Sequence, residues 1–217
     1  TTSAKWSHQT ILDRVGRGEV DILLGTQMIA KGLDFPNVTL VGVVDADTGL
    51  HLPDFRAAER TFQLIAQVAG RAGRGPKGGR VVVQTRSPDH YALAAAAQHD
   101  AEGFSATELA QRREPPYPPL ASLVNLVLSG EVEGRVADAA AEVARWCGAL
   151  VAQQALAVEI LGPAPCVLAR IKDRWRWHVV LRGEAAAIGR IVRYGATGWP
   201  GPAGVRVAVD RDPVSLL

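Results

Sequence analysis

No phosphate-cradling loop of the form G-x-x-x-x-G-K-[ST] occurs anywhere in the 217 residues, so the chain has no means of its own to wrap the phosphates of a nucleotide. The nearest approach is RGPKGGR at 74–80, but Lys77 is followed by glycine and no helical pattern comes after it to receive phosphate at an N-terminus. Cysteine is almost missing as well. Cys147 and Cys166 have no Cys or His beside them at metal-ligand spacing, which leaves no candidate metal set and, with no secretory leader, points to the reducing cytoplasm. Long apolar runs are absent: VTLVGVV and LVNLVL are strand-sized, far below the ~20 residues that a membrane-spanning helix needs. Charge of one sign is scarce too. Twenty-four Lys and Arg against 22 Asp and Glu leave a net +2, too little to draw in a polyanion by bulk attraction, so any nucleic-acid contact must come from local clusters.

What is present is ample core material, 47% hydrophobic residues, in a length that suits one large or two modest domains. A helical pattern from Ser7 to Val15 is followed by DILLGT, a continuous apolar run that reads as a strand buried on both faces. VTLVGVVDAD (38–47) and RVVVQT (80–85) read as further strands, alternating with a helical stretch from Asp54 to Val68 whose apolar face is Phe55, Ala58, Phe62, Ile65 and Ala69. Strands alternating with helices predict a parallel sheet. Ligand-contacting loops gather at the strand ends of such sheets, and TQMIAKGLDFPNV and DADTG both leave strand ends on one rim.

Two more helical patterns, SPDHYALAAAAQHD and AEGFSATELAQRRE, lead to PPYPP at 115–119. Four prolines in five residues predict a stiff, extended hinge and a boundary between a first domain at 1–115 and a second at 116–217. Beyond it the order is strand (Ser122 to Leu128), helix (Glu133 to Gln153), strand (Val158 to Leu168, bent near Pro163 and Pro165), strand (Trp175 to Leu181), helix (Glu184 to Arg193), strand (Val205 to Val209). That β-α-β-β-α-β order predicts a small α+β sandwich of the ferredoxin-like kind. No internal repeat is visible.

The most specific stretch is QVAGRAGR at 67–74. At average residue frequencies a Q-x-x-G-R-x-G-R string arises by chance in a chain this long about once in ten thousand. Gly70 and Gly73 lack Cβ atoms and let backbone approach a bulky partner closely. Arg71 and Arg74 carry planar, permanently charged guanidiniums that grip phosphate oxygens in pairs. An arginine pair beside a transferring phosphoryl group is catalytic equipment; the plain alternative is a solvated loop whose arginines pair with Glu59 or Asp54.

QVAGRAGR, GTQMIAKGLDFPNVTLVGVVDADTGL, LPDFRAAERTFQL, LGPAPCVLARIKDRWRWHVVL and the terminal DPVSLL together resemble the primosomal replication-restart DNA helicases of superfamily 2, over nearly the whole chain. The resemblance implies a partial RecA-like second helicase lobe followed by that family's C-terminal domain. QVAGRAGR is similar to helicase motif VI, in which Gln67 would face the γ-phosphate region and Arg71 and Arg74 would act as arginine fingers on ATP held by the opposite lobe. GTQMIAKGLDFP looks like motif V, in which Thr26, Gln27 and Lys31 would touch the DNA backbone while Asp34, after the flexible Gly32, would face the nucleotide ribose. For Asp34 a turn or cap role before Pro36 stays open, and Thr26 and Lys31 carry a similar alternative.

The resemblance also implies ATP with Mg2+, bound mainly by a first lobe that this sequence does not contain, and zinc held by a cysteine-rich insertion that is likewise missing. The chain therefore reads as a C-terminal portion, inactive as an ATPase by itself. Implied partners are forked and single-stranded DNA, the single-stranded-DNA-binding protein and other primosome proteins, with no membrane. Two other readings stay open: a non-hydrolytic fork-binding scaffold for primosome assembly, and a domain that binds nucleotide or partner with the arginines regulatory. Asp45 and Asp47 of DADTG could hold a metal or contact a ligand, but acidic residues leaving a parallel strand are commonly turn formers, and structure is the favoured reading.

One local charge cluster stands out in the second domain. Arg170, Lys172, Arg174, Arg176 and Arg182 against Asp173 are interleaved with Trp175 and Trp177, a mixture that suits nucleic acid. On a strand the tryptophans, Val179 and Leu181 point one way and Arg174, Arg176, His178 and Arg182 the other. The tryptophans are thus expected in the core, and Arg174 and Arg176 on an exposed face where they would contact phosphate.

Overall fold

The computed structural model describes residues 5–26, 38–70, 78–198 and 201–216. By contacts the chain separates into two compact units, Thr1–Leu52 with Ala57–Ala106, and Pro53–Arg56 with Thr107–Leu217.

In the first unit, α1 (Lys5–Gly16) covers the helical pattern read from the sequence. Strands β1 (Leu40–Val43) and β2 (Arg80–Val83) pair in parallel, from Leu40 opposite Arg80 to Val43 opposite Val83. The short helix α2 (Ala46–Leu50) and the longer α3 (Ala57–Ala69) separate them in sequence. Helix α3 buries Phe62, Ile65 and Val68 along one stripe, the spacing that brings side chains to one helix face. Helix α4 (Tyr91–Ala97) is capped by His90, whose Nδ1 accepts the Ala92 N–H. Helix α5 (Ala101–Gln111) starts where Asp100 Oδ1 accepts the Gly103 N–H at 2.8 Å. The core is small: Ala46, Phe62, Ile65, Ala92, Leu93, Ala96 and Phe104, with the Phe62 and Phe104 rings stacked at 4.1 Å.

Three expectations need correction. DILLGT forms no strand; residues 22–26 carry no regular structure, and Ile22 and Leu24 are 77% and 89% exposed. A continuous apolar run marks a segment suited to burial, but a ladder also requires a neighbour strand and cover on both faces, and among the described residues the parallel sheet is β1 with β2 alone. The stretch read as helix from Asp54 begins at Ala57, so Phe55 is not part of the α3 face. PPYPP is a run of turns rather than an extended rod, with Tyr117 N–H bonded to Arg112 O and Leu120 N–H to Tyr117 O; consecutive proline φ angles fit turns as readily as extended chain.

The second unit has the expected β-α-β-β-α-β order: β3 (Ser122–Gly130), α6 (Glu133–Gln153), β4 (Val158–Ile171), β5 (Arg174–Gly183), α7 (Ala185–Gly198) and β6 (Arg206–Arg211). The strands form one antiparallel sheet in the order β4-β5-β3-β6. Helix α6 presents Val136, Ala139, Ala140, Val143 and Cys147 to it, and α7 presents Ala187, Ile188 and Ile191. Against these lie Val124, Leu126, Leu128, Val179 and Leu181, with Trp175 and Trp177 packed at the margin. Each fully buried aliphatic side chain in this layer contributes about 1.5–3 kcal/mol. Strand β4 bends as its prolines suggest, through register shifts between Leu161 and Ala164 and between Pro165 and Arg170. Gly162 permits the first of these: its φ is 95°, and a Cβ there would lie 2.9 Å from His178 O.

Candidate functional site

The parallel pair β1 and β2 delivers two loops to one rim, and hydrogen bonds stitch them together. Asp47, at the start of α2, accepts the Thr85 hydroxyl at 3.0 Å and the Arg86 N–H at 2.8 Å, while Gln84 Oε1 accepts the Asp45 N–H at 3.4 Å. These donors hold the Asp47 carboxyl below its usual range, the Arg86 amide most strongly. Asp45 accepts the Thr48 hydroxyl at 2.7 Å. Both carboxylates of DADTG are therefore engaged in shaping the loop, the structural role favoured from the sequence. Gly49 lets α2 approach α3: a Cβ there would meet Thr61 Oγ1 at 2.9 Å.

Helix α3 supplies the rest of the rim. Its apolar stripe ends at Val68, and Gln67 lies on the exposed side of its last turn. Gly70 closes the helix, its N–H bonded to Ala66 O at 3.0 Å. The chain then enters GRAGR; Arg71 and Arg74 lie outside the described residues. So do Gln27, Lys31, Gly32 and Asp34, while Thr26, the last described residue of that stretch, is exposed.

The basic cluster of the second unit sits at the β4–β5 turn, where Lys172 and Asp173 both adopt positive φ. Arg170 pairs with Asp173 at 3.0 Å and has its guanidinium 5.4 Å from the Trp175 ring centre. Arg174 reaches Glu131 at 3.7 Å, and Arg176 donates to Leu168 O at 3.4 Å. Arg174 and Arg176 lie on the strand face away from Trp175, Trp177, Val179 and Leu181, as alternation predicts. Arg182 departs from the expected exposed row. It is buried, 6% exposed, and donates to Glu159 Oε2 through Nε at 3.1 Å and again through Nη2, because one end of that sheet face is covered within the unit and its guanidinium lies over the Tyr117 ring at 4.8 Å.

Sequence reading missed Arg206. Ser129 pairs with Arg176 on one side and with Arg206 on the other, so two arginines 30 residues apart in sequence share one row of the face opposite α6 and α7. No local pattern announces a cross-strand row; only the register creates it. Next in line is His178, opposite Val127, whose Nδ1 is buried with no hydrogen-bond partner and whose pKa is lowered by burial and by Arg176. Cys166, on the neighbouring bulge, is buried, and its thiol pKa is raised by desolvation, partly offset by Arg176.

Metal chemistry finds no donor set among the described residues, where no three His, Cys, Asp or Glu side chains gather. Cys147 is buried in the α6 core with its thiol pushed up to about 11 by desolvation, the reverse of what a zinc thiolate requires. Among the described helices, none is long and apolar enough to cross a membrane.

Comparison with known proteins joins the two halves. Residues 5–76 match the helicase conserved C-terminal domain. Residues 113–214 match the primosomal protein N C-terminal domain. Replication restart protein PriA of Bacillus subtilis (strain 168) is 51% identical over 182 residues, 84% of this chain. The chain belongs to the PriA family. PriA of Treponema pallidum is 44% identical over 210 residues, 96% of this chain, and PriA of Synechocystis is 42% identical over 216 residues, the whole of it. The chain spans only 22%, 32% and 26% of these three relatives respectively.

Proposed function

We propose that this chain provides the C-terminal part of an ATP-dependent DNA helicase that acts in replication restart at stalled or abandoned forks. Arg71 and Arg74 act as fingers on the γ-phosphate of ATP bound with Mg2+ by another part of the protein, and Gln67 faces the same phosphate. The observation that carries the reading is an exposed Gln67 in the last turn of α3, with the glycine-spaced arginines directly after the helix end, in a chain of this family. A helix end delivers side chains at a fixed position without loop entropy, and charge placed where phosphate charge develops is the principal contribution a protein makes to phosphoryl transfer. Gly32 and Asp34 complete the nucleotide side. ATP supplies the driving reaction, and this chain's own residues orient and neutralise.

On the DNA side, Thr26, Gln27 and Lys31 hold backbone from the motif V stretch. Arg174 and Arg176 hold phosphate from the second unit, joined there by Arg206. Support for that surface is the arginine row flanking Ser129 on the sheet face opposite the one that α6 and α7 cover. The single-stranded-DNA-binding protein and other primosome proteins are the protein partners of the assembly, which works in the cytoplasm. Zinc, if carried, belongs elsewhere in the full-length protein.

A DNA-stimulated ATPase assay on the full-length protein tests the reading. Arg71→Ala or Arg74→Ala is expected to lower kcat by about 10³-fold or more, the range for such fingers, with fork affinity retained. Turnover untouched by both changes sinks the finger assignment, and a full-length protein with no turnover at all favours the fork-binding scaffold. Charge reversal at Arg174 and Arg176 together is expected to weaken fork binding and flatten its dependence on salt; unchanged affinity and slope remove them from the DNA surface.

A further inference from the structure

Two buried polar atoms on one face of the second unit's sheet lack a hydrogen-bond partner among the described residues: Oδ1 of Asn125 on β3 and Nδ1 of His178 on β5. Asn125 is 5% exposed. By alternation both side chains lie on the face opposite α6 and α7, since Val124, Leu126, Val179 and Leu181 pack in the core against those helices. The register pairs Asn125 with Val180 and Val127 with His178, which makes Asn125 and His178 diagonal neighbours. Diagonal residues of an antiparallel pair are within reach of a ring side chain. An amide oxygen only accepts, and so does the imidazole nitrogen that carries no hydrogen. An orphaned buried N–H is the rarer and costlier arrangement, so neutral His178 keeps its hydrogen on Nε2. The two buried acceptors therefore lack the same thing, and one proton on Nδ1 supplies it as a charge-assisted hydrogen bond to Asn125 Oδ1.

The surrounding charge opposes that proton. Burial first, and then Arg176 two residues earlier on the same strand, hold the His178 imidazole below the ordinary histidine range. Arg206 shares the next row with Arg176 across Ser129, and Arg174 lies further along β5. From β4, Cys166 is a protonated thiol, its pKa raised by burial, and Glu159 is engaged by Arg182. To this face β3 sends Leu123, Asn125, Val127 and Ser129, none of them charged. On β6, Asp210 lies opposite Asn125 and is exposed. The charge nearest His178 is thus cationic, and it comes from arginines that a DNA phosphate would neutralise.

We propose that His178 and Asn125 form a proton-binding site coupled to the phosphate surface of Arg174, Arg176 and Arg206, so that the second unit takes up a proton when it binds DNA. Phosphate placed on the row cancels the field of Arg176, which raises the affinity of His178 for its proton. A group that binds its proton more tightly in the complex makes the complex tighter as pH falls through the window between the free and complexed values, and adds no slope outside that window. Arginines alone give no such dependence, because guanidiniums stay charged throughout. The inference rests on the reading of Arg174, Arg176 and Arg206 as a DNA surface.

The test is calorimetric titration of a forked DNA oligonucleotide into the full-length protein from about pH 5.5 to about pH 8, the span over which histidine titrates. Paired buffers of different ionisation heat count the protons taken up. Wild type, His178→Phe, His178→Gln, Asn125→Leu and the double charge reversal Arg174→Glu with Arg176→Glu are run together. Wild type is expected to take up as much as about one proton more than either His178 variant, and its affinity to rise on acidification more steeply by up to about tenfold per pH unit. At the alkaline end the His178 variants bind within about twofold of wild type, since His178 is neutral in both states there. Asn125→Leu replaces an unpartnered acceptor with an apolar group of similar shape; it is expected to fold, to keep the alkaline affinity and to reduce the proton uptake. If His178→Phe does not fold, His178→Gln, which is polar and does not titrate, decides. Equal uptake and equal pH slope in wild type and a folded His178 variant overturn the linkage, and uptake unchanged by Asn125→Leu overturns the paired site. Fork binding weakened by charge reversal with no uptake that depends on His178 sinks the proton site and leaves the DNA surface standing; binding unchanged by the reversal sinks the surface and, with it, the route by which the proton is coupled.

Discussion

The two units solve the burial problem to very different degrees. The second closes a four-stranded antiparallel sheet under two helices, with Leu128, Val136, Val179 and Leu181 wholly removed from solvent. The first has, among its described residues, a parallel pair of four-residue strands and an alanine-rich core, while Ile22, Leu24, Leu40, Val44 and Val82 stay exposed. A parallel sheet gains its stability from cover on both faces, so strands with uncovered apolar side chains contribute little. The lesson is that sequence specificity and packing density fall in different places: the QVAGRAGR and GTQMIAKGLDFP stretches belong to the first unit, and the better packed second unit holds the segment that precedes α3.

The sharpest way to break that comparison is to remove a buried charge partner. Glu108→Ala strips Arg112 of its bridge where both side chains are 9% exposed, and is expected to cost about 3–5 kcal/mol in denaturant unfolding followed by the fluorescence of Trp146, Trp175 and Trp177. Glu19→Ala, which removes the partner of Arg14 and Arg17 on the surface of the first unit, is expected to leave the unfolding curve unchanged. Equal effects would mean that the two units are not differently built.

Next in size is the core itself. Leu181→Ala is expected to cost about 2–5 kcal/mol, and Val82→Ala, on the half-exposed β2, at most about 0.5 kcal/mol. Native-state hydrogen exchange should then show the amides of β3 and β5 protected to a higher free energy than those of β1 and β2. Uniform protection across both sheets would contradict the comparison.

Smaller effects sharpen it through pH. His178 has a folded-state pKa below its unfolded value, through burial first and Arg176 second. The unfolded chain therefore takes up the proton first, so the contribution of His178 is fully present above the ordinary histidine range and is lost as pH falls towards the folded pKa. Chemical unfolding at a series of pH values should show the second unit weakening as pH drops through that window, and His178→Phe should flatten this slope. In the first unit the Asp47 carboxyl is held low by the Arg86 amide and the Thr85 hydroxyl, so its contribution is present above the ordinary carboxylate range and lost only as pH falls through the depressed value. Asp47→Asn should remove that acid sensitivity from β1 and β2 alone.

Smallest is the thiol chemistry. With Cys147 buried and its pKa near 11, a disulfide reagent at neutral pH should label neither it nor Cys166 in the native state, and both after denaturation. Rapid native labelling of Cys147 would mean that α6 opens far more readily than its packing implies.

Much of this molecule was written in local pattern. The β-α-β-β-α-β order came from alternating periodicities of 2 and 3.6, and the bend in β4 from Pro163 and Pro165, because each depends on residues a few positions apart. QVAGRAGR and GTQMIAKGLDFP stood out for the same reason, as short local strings. DILLGT was misread because an apolar run states a wish for burial and not whether a strand is there to meet it. The exposed row expected to end at Arg182 failed because Tyr117, from a proline-rich turn 65 positions earlier, covers that site.

The sequence by itself therefore determined most of the elements and their order, above all the β-α-β-β-α-β succession of the second unit, since these follow from propensity and periodicity. Only the tertiary structure decided which distant groups share a place: Arg176 and Arg206 in one row on either side of Ser129, and Asp54 bonded to Ser215 and Leu216. Such pairings are fixed by strand register and chain closure over more than 20 residues, and no property of either residue alone encodes the other's position.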